Sequence, residues 1–230
     1  MAHQQNNPAQ QTIPLLYQIT NRQAFLHKAE PSQSVIHSQL EAIRRATAAG
    51  CQLIQIREKD LPAQTLLEFT RQAIAIARPL GAKTLVNDRL DVAIAANADG
   101  VHLRVTSLPV AEVRWVTERL RLPNFLIGAS THSLAEAEAA ERGGADFIVC
   151  GPVFDTPSKR EFGEPLGLKR FAEVCRVVSI PVLALGGINL SNFRQPLNCG
   201  AAGIAAISLF NDAENLPELF ADLSQTPAGY

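Results

Sequence analysis

The sequence predicts an α/β fold, a single (β/α)8 TIM barrel, and three features of the chain carry that expectation. Eight short apolar runs recur along its 230 residues, segments of helical periodicity alternate with them, and glycine-bearing turns lead into alternate runs. The runs cover residues 15–20, 52–57, 84–88, 100–103, 125–130, 147–154, 181–187 and 203–208. Each is mostly apolar on both faces, as parallel strands covered on two sides must be.

Taken in order, the first run follows residues 1–13, a polar, uncharged stretch read as a disordered tail and not as a signal peptide. Ala49-Gly50 precedes the second run. After it, Asp60 and Pro62 supply start signals for a helix over 63–78, where Leu66, Leu67, Thr70, Ala73, Ile74 and Ala77 recur at helical spacing. Ala98-Asp99-Gly100 leads into the fourth run. A helix is expected over 134–142, with alanines toward the sheet and Glu136, Glu138 and Glu141 toward solvent. Gly144-Ala145-Asp146 leads into the sixth run and Gly200-Ala201-Ala202-Gly203 into the eighth. In each echo, glycine is read as closing a helix and turning the chain into the next strand. Eight units at roughly 27 residues each approach the ~30 of a βαβ block. No GxGxxG follows the first run, which favours a closed barrel over an open doubly wound sheet. Without a linker or composition shift after residue 14, residues 14–230 read as one domain.

Composition narrows the class without naming a chemistry. With 21 basic and 22 acidic side chains the net charge is -1, which argues against a nucleic-acid or membrane-surface binder working by bulk attraction. No apolar stretch is long enough to span a bilayer. Cys51, Cys150, Cys175 and Cys199 lie in no metal-binding or redox spacing and read as free thiols in a reducing cytoplasm.

In a barrel of this kind, reaction sites gather on the loops that follow the strands. Arg57 and Lys59 follow the second run, two apart on an extended segment, so that they can clamp one anion; a surface pairing with Glu58 or Asp60 is the alternative. Asn87 and Asp88 follow the third. Asp88 suits a hard dication such as Mg²⁺ that shares substrate phosphates, and a turn or capping role is the alternative. Ser130 and His132 follow the fifth, with His132 an acid/base candidate or a surface histidine. Thr156, Ser158 and Lys159 follow the sixth, as phosphate donors or as a plain exposed loop. Gly186-Gly187, with Gly203 and Ile207-Ser208, offers backbone N–H groups to a phosphate, or simply tight turns. Two anion sites on opposite sides of one mouth suit the joining of two phosphorylated molecules.

The chain resembles the thiamine phosphate synthase family, which also holds the thiazole tautomerases. The matching segments, from Leu16 to about Asp212, are YQIT (17–20), QIREKD (55–60), NDRLDVA (87–93), ADGVHL (98–103), SLPV (107–110) and GASTHSLAEA (128–137). GADFIVCGPVFDTPSK (144–159), GLKRF (167–171), PVLALGGI (181–188) and GAAGIAAIS (200–208) follow in the same order. The resemblance implies the TIM barrel and the coupling of a pyrimidine methyl diphosphate to a thiazole phosphate, with release of pyrophosphate. It implies that Gln55, Arg57, Lys59, Asn87, Ser130 and Lys159 hold the diphosphate substrate. It implies that Thr156, Ser158, Gly187, Ile207 and Ser208 hold the thiazole phosphate, and that Asp88 is one of two Mg²⁺-binding aspartates. Small phosphorylated substrates are the expected partners, with a homo-oligomer as a further expectation.

One departure stands out. Where the family reads HLGQ-x-DLP, this chain reads His102-Leu103-Arg104-Val105-Thr106-Ser107-Leu108-Pro109, so the second aspartate is Ser107. A neutral hydroxyl is a poorer ligand for a hard dication, and Arg104 is expected to take over part of its work. The tautomerases also lack that aspartate and use a histidine at the position of His132 for proton transfer, which keeps a tautomerase open as the alternative. A catalytically weak paralogue that binds a thiazole phosphate or thiamine phosphate is the third reading. Retention of Lys59, Asn87, Asp88 and Lys159 favours the synthase.

Overall fold

The computed structural model describes residues 14–26, 34–156, 164–211 and 215–224. Eight strands alternate with helices and close into a parallel barrel in sequence order, with the first strand pairing with the last. The strands are β1 (Leu15–Ile19), β2 (Leu53–Ile56), β3 (Lys83–Asn87), β4 (Gly100–Leu103), β5 (Leu126–Thr131), β6 (Phe147–Cys150), β7 (Val182–Leu185) and β8 (Gly203–Ala206). The helices are α1 (Val35–Ala48), α2 (Ala63–Ala77), α3 (Leu90–Ala95), α4 (Val110–Arg119), α5 (Leu134–Arg142), α6 (Gly167–Val177), α7 (Arg194–Asn198), α8 (Ser208–Asn211) and α9 (Asn215–Ser224).

Strand alternation explains why the runs are apolar on both faces. Tyr17, Ile19, Leu53, Leu85, Phe147, Val149, Leu183 and Ala205 form one cluster, the barrel filling. Their sequence neighbours Leu16, Ile54, Val86, Ile148 and Ile204 belong to a second cluster with Ile43, Phe69, Phe171 and Phe210, between sheet and helices. A one-residue slip in any strand would exchange the two sets, so burial on both sides fixes the register. Along that register, Gln55 pairs with Leu85 and Asn87 with His102.

Several element ends differ from the expectation for physical reasons. The sixth strand ends at Cys150, not at residue 154, because Pro152 has no N–H for the ladder. The chain stays attached beyond it: Val153 N donates to Leu185 O at 2.8 Å and Phe154 N to Gly186 O at 3.1 Å. The eighth strand ends at Ala206, and Ser208 begins α8. Asp60 does not start α2; Pro62 is the N-cap, and the Asp60 carboxylate is held by Arg22. Glu141 is not simply a solvent residue, since Oε1 accepts Ser179 N at 2.6 Å. Of the four glycine echoes, three place a left-handed glycine before the strand. In the other, Asn97 takes that conformation and Gly100 lies inside β4, where a Cβ would sit 2.3 Å from Leu126 O.

All four cysteines are free, and burial raises the Cys51 thiol to about 12 and the Cys150 thiol to about 11. Among the described residues, no helix is long and apolar enough to cross a membrane.

Candidate active site

The residues flagged by sequence divide between two sides of the mouth at the strand C-termini. β2, β3 and β4 stand on one side; β6, β7 and β8 stand on the other.

On the first side, alternation along β2 turns Ile56 toward the helices and Gln55 into the barrel, where its Nε2 donates to Tyr17 Oη at 3.2 Å. Burial pushes the Tyr17 phenol far above its usual range, so it stays protonated. Arg57 N donates to Thr20 Oγ1 at 2.9 Å, anchoring the start of the loop. Its guanidinium titrates below the usual arginine range, first through burial and then through the charge of Arg104. Two neighbouring cations repel each other, and an anion between them would relieve that repulsion. Glu58 and Asp60, the alternative partners of Arg57 and Lys59, are both held by Arg22. Arg22 Nη1 lies 3.1 Å from Glu58 and 2.7 Å from Asp60, and Arg22 N also donates to Glu58. Glu58 is buried and its carboxyl is raised by that burial, against the Thr20 hydroxyl and Arg22. The strand ends at Ile56, so the alternation that would align Lys59 with Arg57 does not reach it.

Lys59 instead lines a cavity of about 160 Å³ together with Glu58, Asn87, Asp88, Arg89 and Arg104. Asp88 adopts φ 66, with its N–H donated to His102 O at 2.8 Å. Its Oδ2 lies 2.5 Å from Arg104 Nη2, and its Oδ1 accepts the Ser107 hydroxyl. Arg104 N donates to Ser107 Oγ at 2.8 Å, which closes the arrangement. Burial would raise the Asp88 carboxyl, but the Ser107 hydroxyl and Arg104 outweigh it and the net shift is downward. Arg89 is tied to Asp91 at 2.6 Å.

Sequence reasoning missed His102. It follows Gly100 with the same parity on β4 and is buried, with Nε2 2.9 Å from Ser130 Oγ. Its ring leans on Tyr17, 5.7 Å between centroids, and on Phe147 at 6.2 Å. Burial, and then the charge of Arg57, lowers its pKa to about 3, so it is neutral near pH 7. Register offered the missing signal, because His102 is paired with Asn87 beside Ser130.

On the second side the backbone does more of the work. Gly187 takes φ 66, and a Cβ there would lie 2.7 Å from both Asp155 O and Phe154 Cβ. Its carbonyl accepts Asn192 Nδ2 at 2.9 Å. Ile207 packs against the barrel filling and Ser208 is exposed at the next position. Thr156 stands at the end of the β6 loop, while Ser158 and Lys159 lie outside the described residues.

His132 is exposed at the end of β5. Its Nδ1 donates to Gly151 O, and its backbone N donates to Glu136 Oε2 at 2.7 Å. The same Glu136 donates its N–H to the N-cap Ser133 at 3.2 Å, so the ring sits on a capped helix start.

A family profile described as thiamine monophosphate synthase matches residues 16–210. A thiamine-phosphate synthase from Methanoculleus marisnigri is 46% identical over 165 residues, which is 72% of this chain and 76% of that protein. The thiamine-phosphate synthase of Halalkalibacterium halodurans is 37% identical over 87% of this chain and 89% of its own. The solved structure of a thiamine phosphate pyrophosphorylase from Pyrococcus furiosus superposes with a TM-score of 0.76 at 33% identity. That match covers 93% of this chain and 98% of the other.

Proposed function

The chain belongs to the thiamine monophosphate synthase family, and from that premise we propose how its mouth joins a pyrimidine methyl diphosphate to a thiazole phosphate. The observation that carries this reading is the division of the mouth into a cationic side and a backbone-and-hydroxyl side.

The diphosphate is assigned to Arg57, Lys59, Asn87 and Lys159, with Gln55 and Ser130 toward the pyrimidine. The thiazole phosphate is assigned to Gly187, Ile207 and Ser208, with Thr156 and Ser158. Cleavage of the C–O bond leaves charge on pyrophosphate, and the arginine and lysine side chains neutralise it as it develops. The pyrimidine methyl cation that remains is captured by the thiazole nitrogen. This needs two fragments held in line and no protein nucleophile. Neutral His102, bonded to Ser130, adds no positive charge to repel the cation. No step is assigned to magnesium, because Asp88 is committed to Arg104 and Ser107 and the second aspartate is absent.

Incubation of the protein with both substrates tests the reading. Thiamine phosphate and pyrophosphate are expected in equal amounts. Absence of thiamine phosphate, with isomerisation of a thiazole carboxylate phosphate instead, would establish the tautomerase.

A further inference from the structure

We propose that the Arg104 guanidinium takes the place of a divalent cation in this chain, so that the diphosphate is held and neutralised without metal. The inference deepens the synthase reading and rests on it.

The residues at the family's metal position do not fit magnesium. Mg²⁺ is held by one or two carboxylates together with substrate phosphates, in strict octahedral geometry. Here one carboxylate remains, and both of its oxygens are engaged, Oδ2 by Arg104 Nη2 at 2.5 Å and Oδ1 by the Ser107 hydroxyl. Among the described residues, no group of three or more His, Cys, Asp or Glu side chains could hold a metal ion. A dication entering beside Asp88 would have to displace the guanidinium and then sit among Arg104, Arg57 and Lys59.

The same contacts hold Arg104 ready for an anion. Asp88 grips one end of its fork, and the turn that carries it is pinned at both its N–H and C=O, by Ser107 Oγ at 2.8 Å and Ser107 N at 3.0 Å. Its Nε is buried and has no hydrogen-bond partner. An unpaired N–H on a charged group is costly to bury, and a phosphate oxygen is a partner that would satisfy it. The side chain is otherwise 40% exposed and lines the cavity with Lys59 and Asn87. A planar fork suits phosphate oxygens better than a point charge.

Charge balance explains why the two changes occur together. Two aspartates and one dication sum to zero, and so do Asp88 and Arg104. Losing a carboxylate at Ser107 and gaining a guanidinium at Arg104 together raise the charge by the two units that the dication would bring, so the net charge beside the diphosphate is unaltered. An aspartate at 107 would compete with Asp88 for the guanidinium and draw it away from substrate.

Calorimetric titration of the intact protein with inorganic pyrophosphate, in excess chelator and in Mg²⁺, tests the inference. Binding is expected in chelator, within about threefold of the affinity in Mg²⁺. Arg104→Gln should weaken binding in chelator by tenfold or more. Arg104→Gln/Ser107→Asp should bind at least tenfold more tightly with Mg²⁺ than without. Wild-type binding seen only with Mg²⁺ would overturn the inference and leave the synthase reading standing. Pyrophosphate binding in neither condition would overturn both. Unchanged affinity of Arg104→Gln in chelator would also overturn it.

Discussion

The two sides of the barrel mouth use different physics for a similar task. On the β2–β4 side, the proposed anion seat is made of charged side chains, and those charges are arranged by other charges. Arg22 draws off Glu58 and Asp60, while Asp88 and Ser107 orient Arg104. On the β7–β8 side, the described groups are a left-handed glycine, a hydroxyl and main-chain amides. The difference matches the two phosphates. One leaves and gains charge in the transition state, where preorganised positive charge stabilises it most. The other stays attached to its substrate and needs only a fixed seat.

The largest effect is therefore expected on the charged side. Arg57→Ala removes a partly buried cation that faces Arg104, and kcat should fall by about 10²–10³-fold, the cost of losing one preorganised stabiliser. The KM for the thiazole phosphate should change little. Steady-state kinetics with each substrate varied would show this, and an equal rise in both KM values with unchanged kcat would erase the distinction between the sides.

Gly187→Ala probes the other side. An alanine at φ 66, with its Cβ placed 2.7 Å from Asp155 O, must push the β6 and β7 loops apart at a cost of about 1–3 kcal/mol. The expected result is a KM for the thiazole phosphate raised roughly tenfold, as about 1.4 kcal/mol of lost binding implies. Pyrophosphate affinity, measured by calorimetry, should stay within twofold. Loss of pyrophosphate binding in this variant would mean that the two sides are one site.

How much of this was legible in the sequence depends on where the information lies. The barrel was legible because eight doubly covered strands must each be apolar on both faces, and Leu16 beside Tyr17 or Ile148 beside Val149 record that burial directly. Candidate site residues at strand C-termini, Arg57 just past β2, Asn87 at the end of β3 and Ser130 near the end of β5, were legible for the same reason, since they break an apolar run where it ends. Arg22 was not, because its partners Glu58 and Asp60 lie 36 and 38 residues away, and an exposed-looking arginine carries no local sign of them. His102 was hidden differently. It sits inside an apolar run, and only the pairing of β3 with β4 sets it beside the mouth. The metal position was legible as a departure at Ser107, but what Arg104 does there required the geometry of Asp88.

On the charged side, His102 gives a pH signature. Its folded pKa of about 3 lies below its ordinary value of 6.5, so the unfolded chain binds the extra proton between those limits. Its contribution to stability is complete above about pH 6.5 and is lost as pH falls toward 3. Thermal melts from pH 7 to pH 4 should show a falling midpoint, and His102→Gln should flatten part of that slope. A slope identical in both proteins would show that the barrel interior tolerates the charge, and would weaken the case for a deliberately neutral floor under a cationic intermediate.

The smallest effect is expected at His132, and it separates two chemistries that share this barrel. A tautomerase must move a proton between atoms of the thiazole, and loss of a general acid or base typically costs 10²–10⁴-fold. The coupling reaction as derived moves no proton through the protein. His132 is exposed, its Nδ1 is given to Gly151 O, and it stands just past β5, between the two sides of the mouth. His132→Asn keeps a side-chain donor for Gly151 O while removing the basic nitrogen. Thiamine phosphate formation should fall by less than about threefold, well short of a general acid–base loss. A fall of a hundredfold in coupling would put a proton transfer into the synthase reaction, and the account of coupling without proton transfer through the protein would have to give way.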